Sequence, residues 1–144
     1  MKSIALLALM LTLNLVSCGK GKTTNTASTA FSTVAEKQQF LERYVKFRRS
    51  YEDLHFRLSF IDGDSGMVAG PSEWNIRLVA TVPANEIEQW IDGLGAAKLP
   101  DLDWVPEIPN APTDLIDFKW YQDDKRIVGV NRVNRIVLYW NHTL

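Results

Sequence analysis

The sequence predicts a single α+β domain over residues 33–144, a mainly antiparallel sheet with helices packed on one face. Three observations predict it. A helix-start signal followed by an aromatic stripe opens the domain. Two segments of strict apolar–polar alternation come next, and the last third reads as a β-meander. The expected order is α-β-β-α-β-β-β.

Thr33-Val34-Ala35-Glu36 has the spacing of a capping box, in which side chains satisfy two of the free backbone donors at a helix start. Phe40, Tyr44, Phe47 and Tyr51 then fall at helical spacing, flanked by Leu41 and Val45, and Glu42 and Lys46 stand four apart. A helix is expected over 34–50, with these aromatic rings in the core. Leu54, Phe56, Leu58 and Phe60 alternate with His55, Arg57 and Ser59, the period of a half-buried strand. Trp74, Ile76, Leu78, Ala80 and Val82 alternate likewise against Asn75, Arg77 and Thr81, so the two strands pair antiparallel through the loop 62–72.

Pro83 suits a first helical turn, Glu86 and Glu88 suit its positive end, and Ile87, Trp90, Ile91 and Leu94 share one helical face. A second helix is expected over 84–92, stopped by Gly93 or Gly95. Residues 99–113 hold Pro100, Pro106, Pro109 and Pro112, a density that neither a helix nor a central strand tolerates. Strands are then expected over 116–121, 126–130 and 135–140, joined by turns at 122–125 and 131–134.

Upstream of the domain, Lys2 precedes an apolar run from Ile4 to Val16, the charged and apolar parts of a secretory signal. That run is too short for the roughly 20 residues a spanning helix needs. Leu15-Val16-Ser17-Cys18 follows, and Cys18 is the only cysteine in the chain. This stretch resembles the lipobox of bacterial lipoproteins. The resemblance covers residues 1–18 and implies a signal peptide over 1–17, cleavage between Ser17 and Cys18, and lipid (palmitate among it) on Cys18. With several acyl chains, attachment to the membrane would be near permanent. Gly19, where Asp would mark inner-membrane retention, favours the outer membrane facing the periplasm. Residues 18–32 are small and polar and are expected as a lipid-anchored flexible tether, with an average reach of about 20 Å.

Loss of Lys2 with the signal leaves 15 basic side chains against 17 acidic ones, which excludes bulk attraction to nucleic acid. Without a pair of cysteines the domain must stand on packing, for which five Trp and six Phe are suited. Asp62-Gly63-Asp64-Ser65-Gly66 has the look of a calcium loop, but Gly66 stands at the fifth position, where an oxygen ligand is needed. It reads as a turn. His55 and His142 are the only histidines, too few for a zinc site without further ligands. No metal or cofactor is expected.

From Glu86 to Asp124 ten acidic residues face only Lys98 and Lys119. This acidic stretch, with Asp101, Asp103 and Glu107 around Trp104, is the candidate partner-binding surface, Trp104 being either its aromatic anchor or a ring folded back over the sheet as core. The expected function is non-enzymatic: a tethered module that binds another protein or an envelope component, of the inhibitor, immunity or assembly-accessory kind. The rival is a small cell-wall or glycan hydrolase using the loop carboxylates, and a third reading is a passive structural lipoprotein.

Overall fold

A computed structural model describes residues 23–63, 72–98 and 100–143. The expected signal peptide, Ser17, Cys18 and residues 64–71 of the 62–72 loop, with Asp64, Ser65 and Gly66 of the calcium-like turn, lie outside the described residues. Seven strands form one sheet: β1 (Thr24–Ala27), β2 (Asp53–Ile61), β3 (Glu73–Thr81), β4 (Gly95–Ala97), β5 (Lys119–Gln122), β6 (Arg126–Asn131) and β7 (Ile136–His142). Their spatial order is β1-β2-β3-β7-β6-β5-β4, and every neighbouring pair is antiparallel.

The α+β expectation, with helices on one face, is therefore corrected. The domain is dominated by its sheet, and among the described residues the only α-helix is α1 (Val34–Leu41). Its capping box forms as the sequence predicts. The Thr33 hydroxyl accepts from the Glu36 amide at 3.2 Å, and the Glu36 carboxylate accepts from the Thr33 and Ser32 amides at 3.0 and 2.9 Å. Those backbone bonds hold the Glu36 carboxyl below the ordinary carboxylate range.

The helix ends nine residues before the expected position 50. Arg43, Lys46 and Arg49 would line up three apart on a continued helix, a like-charge row that opposes it, and Arg48 takes a left-handed backbone, φ 53°. Tertiary burial decides the rest. Tyr44 packs on Phe60 at 5.4 Å between ring centres, while Phe47 meets Trp90 at 5.2 Å and the edge of Tyr139 at 5.1 Å. Irregular chain spreads these rings across β2 and β7, where a helix would hold them in one row. Their expected burial stands and the helical geometry does not.

The second expected helix is a 3-10 segment, Ala84–Trp90. Ile87 and Trp90, three apart, lie above one another in a three-residue turn, and both are buried. Its outer residues tie it down. Arg49 donates to the Gln89 carbonyl at 2.8 Å and Arg132 to Glu88 at 2.7 Å. The Arg132 bond holds the Glu88 carboxyl below its ordinary range.

The tether is corrected at its far end. Thr24–Ala27 pair with Phe60–Arg57 of β2, and Ser28–Ala30 form a 3-10 turn whose Ser28 is buried. β1 and β4 both lie at sheet edges and are built of small or polar residues. Neither has a buried face to leave an alternation in the sequence.

The sheet is a middle layer between two cores. On the first face lie Leu54, Phe56, Leu58, Ile76, Leu78, Val128, Val137 and Tyr139, under α1, residues 42–51 and the Ala84–Trp90 segment. On the second face Val79, Leu138 and Trp120 lie under the proline-rich chain, which supplies Trp104, Val105 and Ile108, joined by Phe118 just before β5. The expected loop is thus the cover of a second core.

Tyr51 sits in the first core with its hydroxyl buried and unpartnered. Burial, followed by the field of Glu42, pushes its pKa well above the ordinary phenol value. A raised folded-state value means stability that is present below about pH 10 and declines as pH rises beyond the unfolded phenol's pKa. Tyr51→Phe is expected to leave stability at neutral pH unchanged or raised by about 1 kcal/mol, since an unpaired buried hydroxyl is removed. The same variant should lose less stability above that pH. Urea midpoints on either side of the phenol range check both, and a large neutral-pH loss would refute the first.

Candidate functional site

Cross-strand register places the polar positions of four strands side by side on the second face. Asn25, Ser59, Asn75 and His142 form one row, and Arg57, Arg77 and Trp140 the next. A third row, His55, Val79 and Leu138, begins the part roofed by the proline-rich chain. The apolar rows are covered and the polar rows lie open. Two contiguous grooves result, sharing Ser59 and Asn75. One, about 320 Å³, is lined by Asn25, Arg57, Ser59, Asn75, Arg77 and Glu107. The other, about 460 Å³, runs past Trp74, Trp140 and His142 to the sheet end.

The groove floor is braced. The Trp140 indole donates to the Asn75 side-chain oxygen at 3.0 Å, which leaves the Asn75 amide NH₂ as an outward donor. The Trp140 ring stacks on His142 at 4.7 Å and 22°, and the Arg77 guanidinium lies 5.9 Å from its centre. Arg77 also pairs with Glu107. Its Nε, and Nδ1 of His142, are buried without a partner among the described residues. Arg57, directly across the ladder from Arg77, is exposed and has no acidic partner among the described residues.

The sequence-predicted site residues separate. Trp104 is only 3% exposed, so its expected role as a surface anchor is corrected. Its indole donates to the Asp101 carbonyl at 2.9 Å and its ring packs on Trp140 at 5.7 Å. Asp101 and Asp103 shape the turn that buries it, the Asp101 carboxylate accepting from the Asp103 amide at 3.0 Å. Both carboxylates are exposed. Glu107, on the 3-10 turn Val105–Glu107, is the one member that reaches the groove. His55 lies 3.1 Å from Asp53 and 3.3 Å from Asn110, under the edge of the proline-rich cover. No group of three His, Cys, Asp or Glu suited to a metal ion occurs among the described residues, and among them no helix is long and apolar enough to cross a membrane.

The alternation in β2 and β3 had marked Arg57, Ser59, Asn75 and Arg77 as solvent-facing. Their company with Trp140 and His142 was not readable, because it depends on pairing between β3 and β7, some 65 residues apart. Set against known protein families, curated proteins and solved structures, the chain matches none.

Proposed function

We propose that this chain is a membrane-anchored periplasmic lipoprotein whose sheet domain is a non-enzymatic binding module for a protein or an envelope component. The observation that carries the binding reading is the open groove on the second face, where two arginines, a tryptophan and amide donors converge on a rigid floor. Binding sites combine an aromatic surface with a few fixed polar groups in this way. The loop carboxylates support the same choice. Asp101, Asp103 and Glu107 are all exposed, whereas paired-carboxylate hydrolysis needs one carboxyl held in an apolar surround.

Anchoring rests on Leu15-Val16-Ser17-Cys18. The first strand starts at Thr24, six residues beyond Cys18, so even a fully extended connection spans only about 20 Å. The domain would then work close to the bilayer surface, with the outer membrane as the favoured site.

Intact mass of the mature protein, isolated from membranes, should exceed the sum of its residues 18–144 by several acyl chains. Cys18→Ala should abolish both the added mass and partition into a detergent phase. An unmodified mature chain would remove the anchored half of the reading. For the binding half, a photo-crosslinker at Ser59 should capture a defined envelope partner that one at Glu88, on the opposite face, does not.

A further inference from the structure

We infer that the groove between Arg57, Arg77 and Asn75 is a binding site for a small soluble phosphate-bearing ligand. The inference rests on the binding-module reading above and needs no lipid on Cys18.

Two arginines stand directly opposite each other on neighbouring antiparallel strands, β2 and β3. Like charges in that position repel and destabilise the pair. Glu107 offsets the charge of Arg77 from one side, while Arg57 has no acidic partner among the described residues. The uncompensated positive charge therefore lies inside a concave surface, with the Asn75 amide and the Ser59 hydroxyl beside it. Each guanidinium is a planar fork that matches oxyanions through paired N–H bonds. A carboxylate has two oxygens, enough for one fork, and Glu107 engages Arg77 through one terminal nitrogen only. A phosphate group has oxygens for both forks and for the Asn75 amide at once. Nε of Arg77 is a buried donor without a partner among the described residues, the kind of group a ligand oxygen would satisfy.

The surroundings favour a small solute over a bilayer surface. Glu107 of the proline-rich cover lines one side of the groove, and Trp104 of the same cover packs on Trp140. A concave groove of about 320 Å³ suits a single small solute better than a flat sheet of headgroups. The ring of Trp140, against His142, offers a face for whatever carries the phosphate.

Glu107 and the ligand would compete for the same guanidinium, which gives the inference a sign. Pyrophosphate is the probe, titrated calorimetrically into the full-length chain in neutral detergent. Saturable binding is expected. Arg57→Gln should weaken it about tenfold or more, the usual scale for losing a charge-assisted bond. Glu107→Gln should tighten it several-fold, whereas Asp117→Asn, which removes the same charge from an exposed site outside the groove, should not. Arg57 is exposed and repels Arg77, so Arg57→Gln should unfold at the parent's temperature or slightly above it; Asn75→Asp supplies a second variant, expected to weaken binding by repulsion.

Equal affinity in Arg57→Gln and the parent, or no saturable binding of pyrophosphate, would overturn the site. Equal gains from Glu107→Gln and Asp117→Asn would reduce the effect to general charge and overturn it too. Displacement of pyrophosphate by short-chain phosphatidylglycerol, but not by glycerol 3-phosphate, would assign the groove to a lipid headgroup and overturn the soluble ligand. A chain that binds pyrophosphate yet carries no acyl mass would fail the anchoring reading alone.

Discussion

Trp104→Ala is expected to lower the free energy of unfolding by about 3–5 kcal/mol, the range for truncating a large buried ring. The ring is only 3% exposed, and it packs with Val105, Ile108 and Phe118 against Val79, Leu138 and Trp120. Its removal would take the central piece from the second core and leave the Asp101 carbonyl without its 2.9 Å indole donor. Because Trp104 also packs on Trp140, the groove floor should loosen with it. Denaturant unfolding measures the loss. A change below about 1 kcal/mol, the ordinary outcome for surface substitutions, would return Trp104 to the surface role the sequence suggests. Trp104→Phe keeps an apolar ring without the donor and should cost distinctly less. Any loss of binding in the alanine variant would follow from the unroofed sheet, since the ring itself is not available to a partner.

Gly129→Ala is the second large effect, expected to cost about 1–3 kcal/mol through overpacking, and to fall at the upper end of that range. Gly129 stands opposite Trp120 in the β5–β6 ladder, and the indole lies flat over its backbone. A Cβ built there would come within 2.6 to 2.9 Å of three ring atoms. The ring is buried and rigid, stacked on Phe118 at 5.9 Å, so it has no flexible end with which to give way. A tryptophan lying across a glycine is a recognised way to shield the bare backbone of a strand. The cost should therefore depend on the ring. In a Trp120→Leu background the same alanine should be tolerated far better, a coupling that a double-mutant cycle reads directly. An additive result would mean that the strand itself needs the glycine, independent of Trp120.

Much of the sheet was legible because its signal is local. In β2 and β3 the apolar alternation from Leu54 to Phe60 and from Ile76 to Ala80 points to the first core, while Trp74 at the sheet end lines the groove, and β6 and β7 lie within one or two residues of their expected places. The capping box at Thr33 was legible for the same reason, since it needs only four consecutive residues. β5 begins later than expected, at Lys119. Ile116 is 87% exposed, its amide held by the Asp114 carboxylate in a turn rather than by a neighbouring strand. The first helix was overread because Tyr44, Phe47 and Tyr51 are spaced for a helix and buried as one would bury them, yet irregular chain brings them to the same core. Propensity and spacing are weak priors where a broad apolar sheet is available to pack against.

The candidate site divides along the same line. That Arg57, Ser59, Asn75 and Arg77 face away from the first core follows from alternation alone, because successive strand side chains must point to opposite faces. Which part of that second face stays open was decided only when β7 paired with β3 and the proline-rich chain folded over Val79 and Leu138. Trp104 was visible as an unusual aromatic in an acidic loop, but its burial depends on partners on distant strands. Local rules determine how a residue is presented, through backbone geometry and hydrogen bonds a few positions away. Burial and company are set by contacts between distant segments, and no short stretch of sequence carries them.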